Sequence, residues 1–289
     1  MEQIVANATV AAASILLVAI SFALIYQGVR FFHFSHAASF TVGAYTYLLT
    51  QRAHLSPALD VAAALVVTGL LGAAMELGIY RPLRQRGASS SGLLLASLGT
   101  MIVLQSLVGL LFGAEVQLIA HIASPGLYLS SISVTWIQLS TIAIAIVVVG
   151  TLLAFGRFLD VGVQVRALAS DPALAQVVGV PTERLRVGLF VIGSSLAGLA
   201  GILHGVDFDV RPTMGLRPLL LGVVAMVIGG SGDIVGIAIG SLLLASVQQC
   251  AAWWMGSEWQ DALAMALLLV FLLFRPQGIR GATVRSVTI

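Results

Sequence analysis

Two short stretches gather polar or flexible residues beside long apolar runs. One is Phe32-His33-Phe34-Ser35-His36-Ala37, followed by Ser39, Thr41 and Gly43; the other is Gly229-Gly230-Ser231-Gly232-Asp233, followed by Gly236 and Gly240. Polar groups inside an apolar segment are costly, so they mark a solute path by default. A glycine cluster breaks a helix and frees backbone N–H and C=O groups that can meet a polar solute. His33, Ser35, His36, Ser39, Gly229, Gly230, Ser231 and Asp233 are therefore the candidate path residues. Each has a plainer alternative. Asp233 would serve equally as the N-cap of a helix beginning at Ile234. His33 and His36 would equally sit at a membrane interface, bonded to carbonyls. The pairs Gly198/Gly201 and Gly236/Gly240 are the spacing of close helix contacts. Both stretches share a polar break, then Gly-Ala-Tyr or Gly-Ile-Ala, then an apolar run, a loose hint of an internal repeat.

Catalytic chemistry has no such foothold. No nucleophile, base and orienting group fall into a constellation, the five histidines lack metal-ligand spacing, and no GxxxxGK[ST] loop is present, so neither an enzyme nor an intrinsic ATPase is expected. Neither a metal nor another cofactor is expected. Cys250 is the single cysteine, which excludes an intramolecular disulfide. Glu76 precedes Arg81 by five residues, a spacing that predicts an ion pair or loop contact rather than a proton relay. Asp207, Asp209 and Arg211 read as a solvated outer loop or as a contact for a delivery protein.

The elements that must hold these residues are transmembrane. Of 289 residues, 59% are hydrophobic and 9% charged, with a mean hydropathy of +1.04, whereas about a quarter of a soluble domain is charged. Every basic residue is Arg, and the arginines are scattered among loops, which argues against nucleic-acid binding. Runs of about 20 apolar residues predict spans at Ala6 to Val29, His36 to Thr50, Pro57 to Tyr80, Gly92 to Phe112, Thr135 to Phe155 and Val187 to Val206. A broken pair from Pro218 to Trp253 and a last span from Gln260 to Phe274 follow. The first run lacks a basic n-region and a cleavage site, so it is expected to remain as a span. The whole chain, 1–289, reads as one all-α transmembrane domain of about eight or nine membrane segments, with broken helices and lipid around it.

Arg81, Arg84, Arg86, Arg157, Arg166, Arg184, Arg186, Arg275, Arg280 and Arg285 gather in three segments, which the positive-inside rule places in the cytoplasm together with the 275–289 tail. The opposite side then carries Glu115 to Thr135, Asp207 to Arg217 and the Trp-rich turn from Trp253 to Trp259. Within the 156–186 loop, Asp171 is an N-cap, Pro172 a first helical residue and Gly179 a stop, which predicts a short helix suited to a groove on a cytoplasmic partner or to resting on lipid.

Several motifs in order resemble the permease subunits of branched-chain amino-acid ABC importers, the shorter LivH type. They are His33-Phe34-Ser35-His36-Ala37 with Gly43-Ala44-Tyr45; Glu76 with Tyr80-Arg81-Pro82-Leu83-Arg84; Gly99 with Gln105; Arg166-Ala167, Asp171, Ala175 and Gly179-Val180; Gly229-Gly230, Gly232, Gly236 and Gly240; and Pro276-Gln277-Gly278-Ile279 with Gly281. The resemblance implies a bacterial inner-membrane protein that builds a pore with a second, LivM-type permease. It also implies two ATP-binding cassette subunits, which consume the ATP, and an extracytoplasmic solute-binding protein. Arg166, Ala167, Asp171, Ala175 and Gly179 are then the ATPase-coupling residues. His33, Ser35 and Ala37 stand where the family usually has Asn, Ala and Gly, and Asp233 where Ser is common, so urea, short amides or another small organic solute are alternatives to branched-chain amino acids. From another class, an ATP-independent secondary transporter or a channel would use the same bundle without the coupling loop.

Overall fold

The computed structural model describes residues 1–119, 126–129 and 132–280; Arg285, Gly281 and the rest of the 281–289 tail lie outside the described residues. The chain is an all-α bundle. In order it forms α1 (Glu2–Val29), α2 (His36–Arg52), α3 (Pro57–Met75), a π turn (Glu76–Tyr80), α4 (Arg81–Gln85), α5 (Ser90–Phe112), α6 (Trp136–Phe158), α7 (Asp160–Ser170), α8 (Pro172–Val177), α9 (Thr182–Asp207), α10 (Leu216–Gly229), α11 (Ile234–Trp254) and α12 (Gln260–Phe274). Seven helices are long and apolar enough to cross a membrane, and α10 is a shorter apolar helix. Each expected span falls on a helix, although α2, at 17 residues, is not among the seven; the broken pair is α10 and α11, separated by Gly230 to Asp233.

Three elements were not expected. β1 (Gly126–Leu129) and β2 (Ile132–Thr135) form a small antiparallel hairpin within the Glu115 to Thr135 connection, with Gly126 opposite Thr135. The 156–186 loop holds a second helix, α7, before the expected one. The Arg81 to Gln85 segment is helical, continuing α3 through the π turn.

Helix starts follow local chemistry. Ser89 caps α5 by accepting from Gly92 N at 3.2 Å. Thr135 and Gln138 form a reciprocal capping box at α6.

The core is a set of close backbone approaches. Lipid gives apolar helices little reason to prefer one another over acyl chains, so association relies on tight packing at small residues. A β-carbon at Gly201 would run into the Phe40 carbonyl, one at Gly198 would lie 2.6 Å from Thr68 Oγ1, and one at Gly193 would lie 2.6 Å from Ile25. These three glycines seat α9 against α2, α3 and α1. The central position is visible in burial: 67% of the apolar window of α1 and 56% of that of α9 are inside the bundle, against 11% for α6 and 6% for α12. Gly236 and Gly240 press α11 onto Gly229 and Ala225 of α10, so both glycine pairs are packing contacts.

Candidate functional site

At the Arg-rich end, α7 and α8 project from the bundle. Asp171 Oδ1 accepts from Ala173 N at 2.9 Å and Leu174 N at 3.0 Å, Pro172 opens α8, and Gly179 takes φ +86° beyond its end. Ala175 is buried and Ala167 half-buried, while Leu174, Val177 and Val178 are exposed. Arg166 donates to the Gly156 carbonyl at 2.6 Å and fastens α7 to the end of α6. The side chains of Arg166 and Asp171 thus build the projection, and the surface offered outward is apolar. The sequence predicted the short helix that carries Leu174, Val177 and Val178 but did not single these three out as its contact face, which depends on which side of the helix the bundle covers.

The projection is rooted in the bundle. Arg30, a left-handed C-cap of α1 at φ +53°, donates to the carbonyls of Ala169 and Ser170 at the end of α7. Arg186 Nε on α9 donates to the Gly28 carbonyl of α1 at 3.2 Å. Glu183 accepts from Arg186 at 2.5 Å and pairs with Arg81 at 3.2 Å. Glu76, fully buried, is paired with Arg84, whose guanidinium lies 3.7 Å from Glu183. The partner of Glu76 is therefore Arg84, not Arg81. The π turn and α4 between them carry Arg84 back over the carboxylate, a path that counting residues along a regular helix does not reveal.

The first polar stretch is a buried turn between α1 and α2. His36 Nε2 is 2.8 Å from Ser21 Oγ, and Ser21 lies eight residues before Val29, so α2 begins about 12 Å inside the α1 end. Ser35 Oγ donates to the Ser97 carbonyl at 2.7 Å and is 2.9 Å from Tyr80 Oη. The His33 ring lies edge-on to Tyr80 and Phe190, with centroids 5.2 and 5.0 Å away, and neither ring nitrogen has a hydrogen bond. Ser39 is likewise buried without a partner. None of these four faces open space in this conformation.

The second stretch is partly closed by the chain beyond α12. Ile279 N donates to Ile228 O at 2.8 Å, Arg280 N to Gly229 O at 3.1 Å, and Gly278, at φ +78°, packs on Gly230. Asp233 caps α11 through Val235 N at 3.1 Å and pairs with Arg280 at 2.9 Å. Ser231 offers its carbonyl to Gln27 Nε2 at 3.3 Å. Gly229 and Gly230 are buried; Ser231 and Asp233 are partly exposed.

At the opposite end a cavity of about 640 Å³ opens among α1, α6, α9, α10, α11 and the 208–215 segment, a place the sequence did not mark. Asp207, Asp209, Arg211 and Arg217 stand in its wall near the mouth; Asn7, Gln138, His204, Gln248 and Gln249 are further polar lining; Val10, Ile15, Val18, Phe40 and Leu221 are apolar. Asp209 and Arg211 pair at 2.6 Å, and this contact holds the Asp209 carboxyl below its ordinary value. Arg217 pairs with Asp261 at 2.9 Å. Val210 exchanges backbone hydrogen bonds with Gln117, whose side chain accepts from Arg52 at 2.8 Å, so the mouth is braced. Asp207, Asp209 and Arg211 are part of a cavity wall, not only a solvated loop.

Comparison with known proteins places this architecture. A family model described as the permease component of branched-chain amino acid transport systems matches residues 4–272. The high-affinity branched-chain amino acid transport permease BraD of Pseudomonas aeruginosa is 29% identical over 97% of this chain and 95% of its own. LivH of Salmonella typhimurium is 28% identical over 92% of this chain and 90% of its own. Among solved structures, PsaBC from Streptococcus pneumoniae, in complex with Fab, shares the fold at a TM-score of 0.55 and 14% identity, covering 94% of this chain and 91% of that one. A match along nearly the whole chain, on a bundle with seven long apolar helices, is sufficient: the chain belongs to the family of permease components of branched-chain amino acid transport systems.

Proposed function

We propose that the chain is the transmembrane permease subunit of an ATP-driven importer in a bacterial inner membrane, moving branched-chain amino acids or a related small polar solute. It would build the path with a second, LivM-type permease, two ATP-binding cassette subunits would dock on the Arg-rich face, and an extracytoplasmic binding protein would deliver solute. The observation that carries the reading is the α7–α8 projection, whose capped helix offers Leu174, Val177 and Val178 outward while Arg30 and Arg186 tie its two ends to α1. An apolar knob rooted in the core helices suits a groove on a partner subunit, through which movement would reach the bundle.

In this reading Arg166, Ala167, Asp171, Ala175 and Gly179 shape the docking element, and the apolar knob makes the contact. ATP-driven movement of the knob would pull on the α1 end, and so on the turn that carries His33, Ser35, His36 and Ser39. That turn and the Gly229, Gly230, Ser231 and Asp233 break would reach the path only when the bundle rearranges. The test is co-purification from the native membrane with Val177→Glu beside the parent chain. Loss of the ATPase subunits with unchanged membrane insertion is expected. Their retention would remove the docking assignment, and solute flux by the isolated chain down an ion gradient would favour a secondary transporter. Cysteines at Ser35 and Ser231 should change reactivity with transport state; indifference at both would take those segments off the path.

A further inference from the structure

We infer that residues 276–280 are a releasable clasp that holds the break between α10 and α11 shut, and that the clasp must open for the ATP-driven cycle to proceed; this rests on the permease reading above. Local sequence makes the strap. Pro276 cannot continue α12, and Gly278 N donates to the Arg275 carbonyl at 2.9 Å, closing a β-turn with proline second and glycine fourth. Gly278, at φ +78°, then leads the chain back onto the bundle, where Ile279 packs on the buried cluster that includes Ile228 and Ile237.

The contact is built to fit closely and to part. Four glycines from three segments meet with no side chain between them: a β-carbon at Gly278 would lie 2.6 Å from Gly230 N, and one at Gly229 would run into the Gly236 carbonyl. The last carbonyls of a helix have no partner within it, and in an apolar surrounding that is costly. The strap supplies the missing donors, Ile279 N to the Ile228 carbonyl and Arg280 N to that of Gly229. With the strap lifted, these carbonyls need water or another polar group, so the closed break is dry and the open one is wetted. The one charged tie is Asp233 with Arg280, whose side chains are 30% and 51% exposed, and a pair so exposed adds little stability. The strap therefore closes the break without being locked to it.

Placement gives the clasp its use. Gln27, in the last turns of α1, donates to the Ser231 carbonyl in the break, and Arg30, three residues on, donates to the Ser170 carbonyl at the end of α7. One turn of α1 thus grips the break with one side chain and the docking projection with another. α12, which carries the strap, is a peripheral helix with 6% of its apolar window inside the bundle, so it can shift with little disturbance of the core. A pull on the projection reaches the break through α1, and the break can answer only when the strap lets go.

The experiment uses the complete transporter in vesicles, with its ATPase subunits, in a Cys250→Ser background, and reads ATP hydrolysis. Arg280→Glu, which sets two carboxylates against each other, should raise hydrolysis about threefold. Arg280→Lys should stay near the parent, and so should Gln277→Ala, since Gln277 is exposed. In the chain that carries both Asp233→Cys and Arg280→Cys, a reducible bis-methanethiosulfonate that joins the two thiols should cut hydrolysis about tenfold by holding the strap down. Reductant should restore the rate, and either single substitution should leave the reagent without effect. An unchanged rate after cross-linking, or a parent-like rate for Arg280→Glu, would make the strap a fixed anchor and overturn the clasp. A parent complex that hydrolyses no ATP would instead overturn the permease reading, and every variant would behave alike.

Discussion

Glu76 has no exposure at all, and its charge is tolerated because α4 brings Arg84 against it. Removing one member of a buried pair leaves the other uncompensated at a cost of about 3 kcal/mol or more, whereas a half-exposed pair contributes at most about 1 kcal/mol. Arg81 and Glu183 are of the second kind, at 40% and 36% side-chain exposure. Glu76→Ala is accordingly expected to lower the midpoint of thermal unfolding in detergent markedly, and Arg81→Ala to change it little. Equal effects would mean that the four charges act as one unit. The sequence made Glu76 visible as an acid at the end of a span, yet it named Arg81 as the partner. That error is physical: in a regular helix only residues three or four apart share a face, and here the π turn and α4 bring Arg84, eight residues on, against the carboxylate instead. His36 shows a related limit. Its type and position were legible, but its bond to Ser21 depends on how far α2 re-enters the bundle, which residue spacing does not encode.

Elements were more legible than contacts, because each apolar run must be long enough to cross lipid and each break must satisfy its own backbone. The caps at Asp171 and Asp233 are examples, since an Asx side chain serves its own next N–H groups wherever the chain goes. The cavity was illegible for the opposite reason. Asn7, Gln138, His204 and Gln248 lie on four different helices, and only packing brings them together. That packing depends on glycines, which can be ranked. At Gly201 an added methyl meets the Phe40 carbonyl, a backbone atom that cannot step aside, while at Gly150 on α6 it meets nothing within 4 Å. Gly201→Ala should lower the yield of folded protein and its thermal midpoint, by about 1–3 kcal/mol or more where the helices cannot separate. Gly150→Ala should leave both unchanged in the same assay. Equal tolerance at the two positions would show that α2 and α9 can slide apart.

For the whole molecule, orientation follows from counting passes and charges together. Nine helices traverse the bundle among the described residues, α1, α2, α3, α5, α6, α9, α10, α11 and α12, so the first helix begins at the end opposite to where α12 finishes. The ends differ in charge. Ten described arginines lie at the end that holds Arg30, α4, α7 and Arg280, and three, Arg52, Arg211 and Arg217, lie at the other. Those three are engaged by Gln117, Asp209 and Asp261, which leaves the second end with little free positive charge to resist translocation. Short loops rich in Arg are retained in the cytoplasm, so the proposed function expects the α7–α8 projection on the cytoplasmic side and the cavity mouth on the opposite one. A reporter that is active only in the cytoplasm should therefore function when fused after Arg280 or inserted at Gly87, and fail at Gly256. A periplasmic reporter should give the opposite result at all three places. Activity at Gly256 in the cytoplasmic assay would invert the molecule and place the α7–α8 projection on the side away from ATP.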